Sequence, residues 1–187
     1  MDKDVSAGST TTIVGRLALG ITLLAFGLGH TGVIDGVTAA DAASIAQYVG
    51  GVALFVAGLI AFREGDAVGG TAFSGLGALW FTWAVSVDGQ VSANAAGLFL
   101  LLFALVALSV TLAGGDQIGR AAYGLLFVAL LLMAIASFAD NDGLTKVGGW
   151  FAVAAGAVAW YAATAALAHW PTVLPRRAAG RGVTATG

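Results

Sequence analysis

No cysteine occurs in the 187 residues, which excludes a disulfide framework, a thiolate metal site and a cysteine nucleophile. Charge is scarce: 10% of the residues are Asp, Glu, Lys or Arg, where ordinary soluble domains carry about a quarter. The pI near 5.4 leaves no cationic footprint of the kind nucleic acids require. With 59% hydrophobic residues and a mean hydropathy of +0.93, the chain has too little polar surface to fold as a soluble enzyme. Lipid is the expected solvent.

Catalytic sets are missing as well. The sequence offers no His-Glu-x-x-His zinc motif, no Ser/His/Asp set within its apolar runs and no paired buried carboxylates. It has no Gly-x-x-x-x-Gly-Lys loop for a nucleotide phosphate. The expectation is a protein that is not an enzyme and uses no metal or cofactor.

What is present is apolar length. A helix needs about 20 mostly apolar residues to cross the hydrocarbon core, and six stretches qualify: Ile13–Val33, Ala43–Phe62, Val68–Val87, Ala93–Ala113, Ile118–Phe138 and Val147–His169. The first is too long and continuous for a cleaved signal peptide, so it is expected to stay as a membrane helix. Short connections punctuated by Gly or polar groups separate the runs, such as Arg63-Glu64-Gly65-Asp66 and Gly114-Gly115-Asp116. A membrane barrel would alternate apolar and polar residues, whereas Leu98–Leu108 is apolar on every side. The expected fold is an all-α bundle of six membrane helices over 13–170, with short tails at 1–12 and 171–187.

Basic residues set the orientation. Lys3, Arg16, Arg63, Arg120, Arg176, Arg177 and Arg181 fall on the side of the two tails, and Lys146 alone on the other. Cytoplasmic loops carry the excess of Lys and Arg, so both termini are expected to face the cytoplasm.

Inside the spans, Arg16, His30, Arg120 and His169, all toward span ends, are the only titratable His, Lys, Arg, Asp or Glu residues. A transport cycle built on buried charge usually needs more than these, so the expected permeant is neutral in transit or stabilised by dipoles and hydroxyls. Thr22, Thr71 and Ser74 offer hydroxyls to a pathway, or equally to the preceding turn of their own helices. His30 reads as a proton relay or as an interfacial, hydrogen-bonded side chain. Asp66 reads as a proton-coupling group or as a solvated turn residue. The glycine-rich run Gly69–Gly77 reads as helix packing or as an opened helix facing a permeant. Trp80, Trp83, Trp150, Trp160 and Trp170 read as belt or packing residues.

The segment Gly65-Asp66-Ala67-Val68-Gly69-Gly70-Thr71-Ala72-Phe73, followed by Gly77 and Trp80, resembles the Gly-Asn-Thr-x-Gly-x-Thr-Ala-Phe…Gly…Trp segment of the acetate uptake transporter family. Gly149-Trp150, Gly156, Tyr161 and Thr172-Val173-Leu174-Pro175 are similar to that family's last helix and tail, and Gly15, Gly20, Thr22 and Gly32 fall at matching places in the first span. The resemblance implies a permease or channel for acetate and related small carboxylates in the cytoplasmic membrane, commonly described as proton-coupled and assembled as a ring-shaped homohexamer. It also implies a constriction at Leu19, Leu76 and Leu126, where the family has Phe, Tyr and Leu. The sequence departs from the family at Thr10–Arg16, which keeps only the Gly of Asn-Pro-Ala-Pro-Leu-Gly-Leu. It departs also at Asp66, Ala61, Ser137 and Ala166, where the family carries Asn, Glu, Asn and an acidic residue. Arg16, Thr22, Thr71 and Ser74 are the polar pathway candidates, and His30 and Asp66 the proton-coupling candidates. A channel for small neutral solutes such as urea, amides or water remains the alternative within transport. A non-transporting membrane scaffold is the alternative outside it.

Overall fold

The computed structural model describes residues 9–87 and 91–170; the proposed tail residues beyond 170, the Asp88-Gly89-Gln90 connection and Lys3 lie outside them. Six helical rods follow one another: α1 (Thr10–Thr31), α2 (Ala39–Arg63), α3 (Ala67–Val87), α4 (Ala93–Ala113), α5 (Gln117–Ala139) and α6 (Asp142–Leu167). The described residues contain no strand. All of these rods except α3 meet a length and hydropathy suited to crossing a membrane. α3 has 21 residues and no charged side chain; at 1.5 Å per residue it too spans about 30 Å.

The rods start where the sequence can satisfy the first free N–H groups, which lipid cannot do. Each begins after a Ser, Thr, Asp or Asn whose side chain accepts from the backbone N–H three residues on. Ser9 accepts from Thr12, Thr38 from Asp41, and Ser92 from Ala95, each at 3.2 Å. Asp66 accepts from Gly69 at 2.8 Å, Asp116 from Gly119 at 2.7 Å and Asn141 from Leu144 at 2.9 Å. At Thr38 the carboxylate of Asp41 returns the bond to the Thr38 N–H at 2.9 Å, completing a capping box.

Glycine then brings the rods together. A Cβ on Gly27 would stand 2.6 Å from the Gly149 carbonyl oxygen, and one on Gly156 would stand 2.8 Å from the Leu24 nitrogen. α1 and α6 therefore run antiparallel with backbones in contact at two points, one formed by Gly20 and Gly156 and the other by Gly27 and Gly149. Gly77 against Phe55 and Gly51 against Phe81 lock α2 to α3 in one antiparallel register. The chain closes into a ring in which α6 packs on α1 and α5, α4 on α5, and α2 on α1 and α3; the α3–α4 seam is thinner. Small residues at such seams allow close van der Waals approach where no hydrophobic effect drives association.

The glycine-rich run and the helical irregularity fall in different rods. α3 is regular α-helix through its glycine-rich first half, and Gly70 there packs against the Phe62 ring, so the run serves packing and is not an opened helix. The irregularity is in α2 instead, where Gln47–Ala53 forms wide π-type turns around Gly50-Gly51. Such turns are common near functional sites.

Candidate functional site

A pocket lies at each end of α3, with a buried apolar cluster between them. One pocket, about 160 Å³, is lined by Thr12 and Arg16 of α1, Asp66, Val68, Gly69 and Phe73 at the start of α3, and Asp116, Gly119, Arg120 and Tyr123 at the start of α5. The other, about 330 Å³, is lined by Thr82, Trp83 and Ser86 of α3 and Val91, Ala95, Ala96 and Phe99 of α4. Between them Leu19, Leu76 and Leu126 are each at most 1% exposed. They belong to one buried cluster with Phe26, Phe73, Trp80 and Leu130.

At the Arg16 end, charge is balanced. Arg16 forms an ion pair and hydrogen bond with Asp116, a residue 100 positions away. Asp116 uses its other oxygen to cap α5, and Asp66 caps α3 in the same way. The two caps arise from one repeated pattern, Gly65-Asp66-Ala67-Val68-Gly69 and Gly115-Asp116-Gln117-Ile118-Gly119. In both, the leading Gly takes a positive φ, 83° and 98°, which a side chain would resist. Asp116 and Tyr123 are functional candidates that the sequence reasoning did not single out; the repeated Gly-Asp-x-x-Gly pattern is the signal that points to Asp116.

At the other end, an aromatic cluster surrounds Phe26. Its ring centroid lies 4.4 Å from His30, 4.8 Å from Trp80 and 6.0 Å from Trp83. His30 Nδ1 is 2.8 Å from the Phe26 carbonyl oxygen. A carbonyl can only accept, so Nδ1 carries the proton and donates, leaving Nε2 as the ring's free nitrogen.

The sequence candidates thus separate into groups. Leu19, Leu76 and Leu126 belong to one buried cluster, and Arg16 and Asp66 line one pocket. His30 lies near the opposite end from Asp66, so the two proton-coupling candidates are not neighbours. Thr22 is 1% exposed, packs against Gly50 in the π-type turns, and its Oγ1 has no partner among the described residues. Ser74 donates to the Gly70 carbonyl at 2.6 Å, the local bond that competes with a pathway role. Thr71 is exposed on the outer surface of α3 and lines neither pocket. Among the described residues no cluster of His, Asp or Glu has the arrangement of a metal site.

Comparison with known proteins agrees with this architecture. The profile of the GPR1/FUN34/yaaH family matches residues 7–174. The succinate-acetate/proton symporter SatP of Escherichia coli is 27% identical over 162 residues, covering 80% of this chain and 84% of that protein. The ammonia transport outward protein 2 of Saccharomyces cerevisiae is 31% identical over 137 residues, 66% of this chain. The chain spans about half the length of that yeast relative, 49%. Among solved structures, the bacterial acetate channel SatP superposes with a TM-score of 0.78 at 25% identity, over 89% of this chain and 98% of that one. The chain belongs to the GPR1/FUN34/yaaH family.

Proposed function

We propose that this protein is a membrane permease for acetate and related small carboxylates. The observation that carries the reading is the pair of end pockets separated by the buried layer of Leu19, Leu76 and Leu126, in a bundle whose fold matches an acetate channel. Arg16 supplies the carboxylate's counter-charge at its pocket, where the bond to Asp116 is exchangeable because both groups reach solvent. The leucines exclude water and hydrated ions, and an apolar ring of this kind gates by dewetting. The acid crosses it as the neutral molecule or as the anion with a proton, and His30 and Asp66 stand at the two ends to release and accept that proton.

The Arg16 end faces the cytoplasm, in keeping with the distribution of Lys and Arg, and the protein sits in the cytoplasmic membrane. Residues 13–170 form one transmembrane domain with short cytoplasmic tails. Its large exposed side chains, such as Phe55, Leu98 and Leu102, face lipid and neighbouring protomers of a homohexameric ring. A second reading, a channel for small neutral solutes, is supported by the yeast relative named for ammonia transport and by the wholly apolar constriction. A scaffold role is weakened by the pockets at both ends, each of which has polar side chains in an otherwise apolar wall.

Uptake of labelled acetate into proteoliposomes, with and without an inward proton gradient and with urea as a parallel tracer, tests the assignment. Acetate uptake above that of protein-free vesicles is expected, with stimulation by the gradient. Urea uptake without acetate uptake transfers the assignment to neutral solutes, and movement of neither tracer refutes transport of both.

A further inference from the structure

The five tryptophans divide by location. Trp150, Trp160 and Trp170 are 51%, 46% and 51% exposed, as expected of side chains at the membrane surface. Trp80 is 1% exposed, and Trp83 is half-buried in the wall of the larger pocket. The Nε1 atoms of both are shut off from solvent, and neither has an acceptor among the described residues.

An indole N–H can only donate. Burying it without an acceptor costs about 1–3 kcal/mol, and a phenylalanine ring would fill much of the same space without that cost. The two orphan donors lie three residues apart, so they share one face of α3. Trp83 is at the pocket and Trp80 one turn deeper; Leu76 of the constriction follows four residues below Trp80 on the same face. Phe26 holds both indoles by edge contacts with interplanar angles of 64° and 80°, and Phe99 stacks on Trp83 with centroids 6.1 Å apart. The donors are therefore fixed in direction before any ligand arrives.

Given the carboxylate-permease reading, on which this inference rests, we propose that the indole N–H groups of Trp80 and Trp83 receive the permeant's carboxylate on the approach to the leucine constriction. A carboxylate carries two oxygens with about four lone-pair sites, enough to accept from one donor while reaching for the next. Two neutral donors in sequence suit passage better than a fixed cation, because conduction needs binding strong enough to admit the permeant and weak enough to release it. The Thr22 hydroxyl, also without a partner, sits on α1 one turn from Phe26 and extends the polar set toward Leu19.

The test uses the full chain in lipid nanodiscs with ¹⁵N-labelled indoles, which give one Nε1–H signal per tryptophan. On titration with acetate, the Trp80 and Trp83 signals, assigned by their loss in Trp80→Phe and Trp83→Phe, are expected to shift saturably. The signals of Trp150, Trp160 and Trp170 should stay still. In proteoliposomes each Phe variant should raise the half-saturating acetate concentration about tenfold, the loss of one net hydrogen bond, while Trp150→Phe changes nothing. If the wild-type preparation takes up acetate yet neither inner signal moves, or all five move together, the indole assignment is wrong and the permease reading stands. If acetate neither enters vesicles nor moves any signal, the permease reading itself fails and takes this inference with it. The titration is read on wild-type protein, and the two inner signals can also be assigned by elimination, once Trp150→Phe, Trp160→Phe and Trp170→Phe have identified the other three, so poor folding of an inner variant does not blunt it.

Discussion

Replacing Leu76 by Ala tests whether the buried leucine layer sets the size limit for the permeant. Leu76 is fully buried, and the change removes three carbon atoms from the layer it shares with Leu19 and Leu126. Butyrate differs from acetate by two methylenes, so the space released matches the extra length of the longer acid. In a close-fitting apolar site each surplus methylene is rejected by about 1–3 kcal/mol, or 10–200-fold. Two of them imply a wild-type preference for acetate over butyrate of about a hundredfold or more. Leu76→Ala should compress that preference to less than about tenfold, chiefly by raising butyrate uptake. The assay is competitive uptake of the two labelled acids into proteoliposomes, with Leu102→Ala on the outer surface (Leu102 is 53% exposed) as the control. A buried Leu→Ala change costs about 2–5 kcal/mol of stability, so variant and wild type must show equal assembly before fluxes are compared. An unchanged acetate-to-butyrate ratio in assembled Leu76→Ala protein would refute the constriction.

Other expectations follow from the same geometry. Gly27→Leu must force α1 from α6, because backbone atoms of Gly149 and Val153 occupy its Cβ position; thermal unfolding in detergent should show a loss of at least about 1–3 kcal/mol. Gly75→Ala, whose nearest neighbour would be Val106 Cγ1 at 3.5 Å, should unfold like wild type. Asp116→Asn keeps an N-cap of equal quality and removes the partner charge from Arg16. Its half-saturating acetate concentration should fall up to about fivefold, the worth of an exposed ion pair, with little change in unfolding temperature. Thr22→Val removes a buried hydroxyl without a partner and should stabilise the fold by about 1 kcal/mol or more, measured by the same unfolding assay.

The all-helical membrane class was legible because each apolar run is long, uninterrupted and too uniform for a barrel. The helix starts were legible in principle too, since Ser9, Thr38, Asp66, Ser92, Asp116 and Asn141 are all side chains that cap. Which face of each helix points inward was not. α3 is apolar nearly all round, so no stripe in its sequence marks the core side, and Thr71 falls on the outside while Trp80 falls on the inside. The pairing of Arg16 with Asp116 joins residues from α1 and α5, a long-range contact that no local spacing reveals. The π-type turns at Gln47–Ala53 depend on how Gly50 and Gly51 meet Thr22 and Phe81, a property of neighbours and not of the segment itself.

The absence of native cysteine allows a direct test of whether acetate passes through the bundle at the leucine layer. Leu76→Cys protein in proteoliposomes would be treated with a benzyl thiosulfonate, whose ring overfills the space of the original side chain, and labelled acetate uptake measured before and after. The account predicts that modification stops uptake, that excess acetate slows modification, and that modified Leu102→Cys transports normally. Undiminished acetate uptake by fully modified Leu76→Cys protein would contradict it.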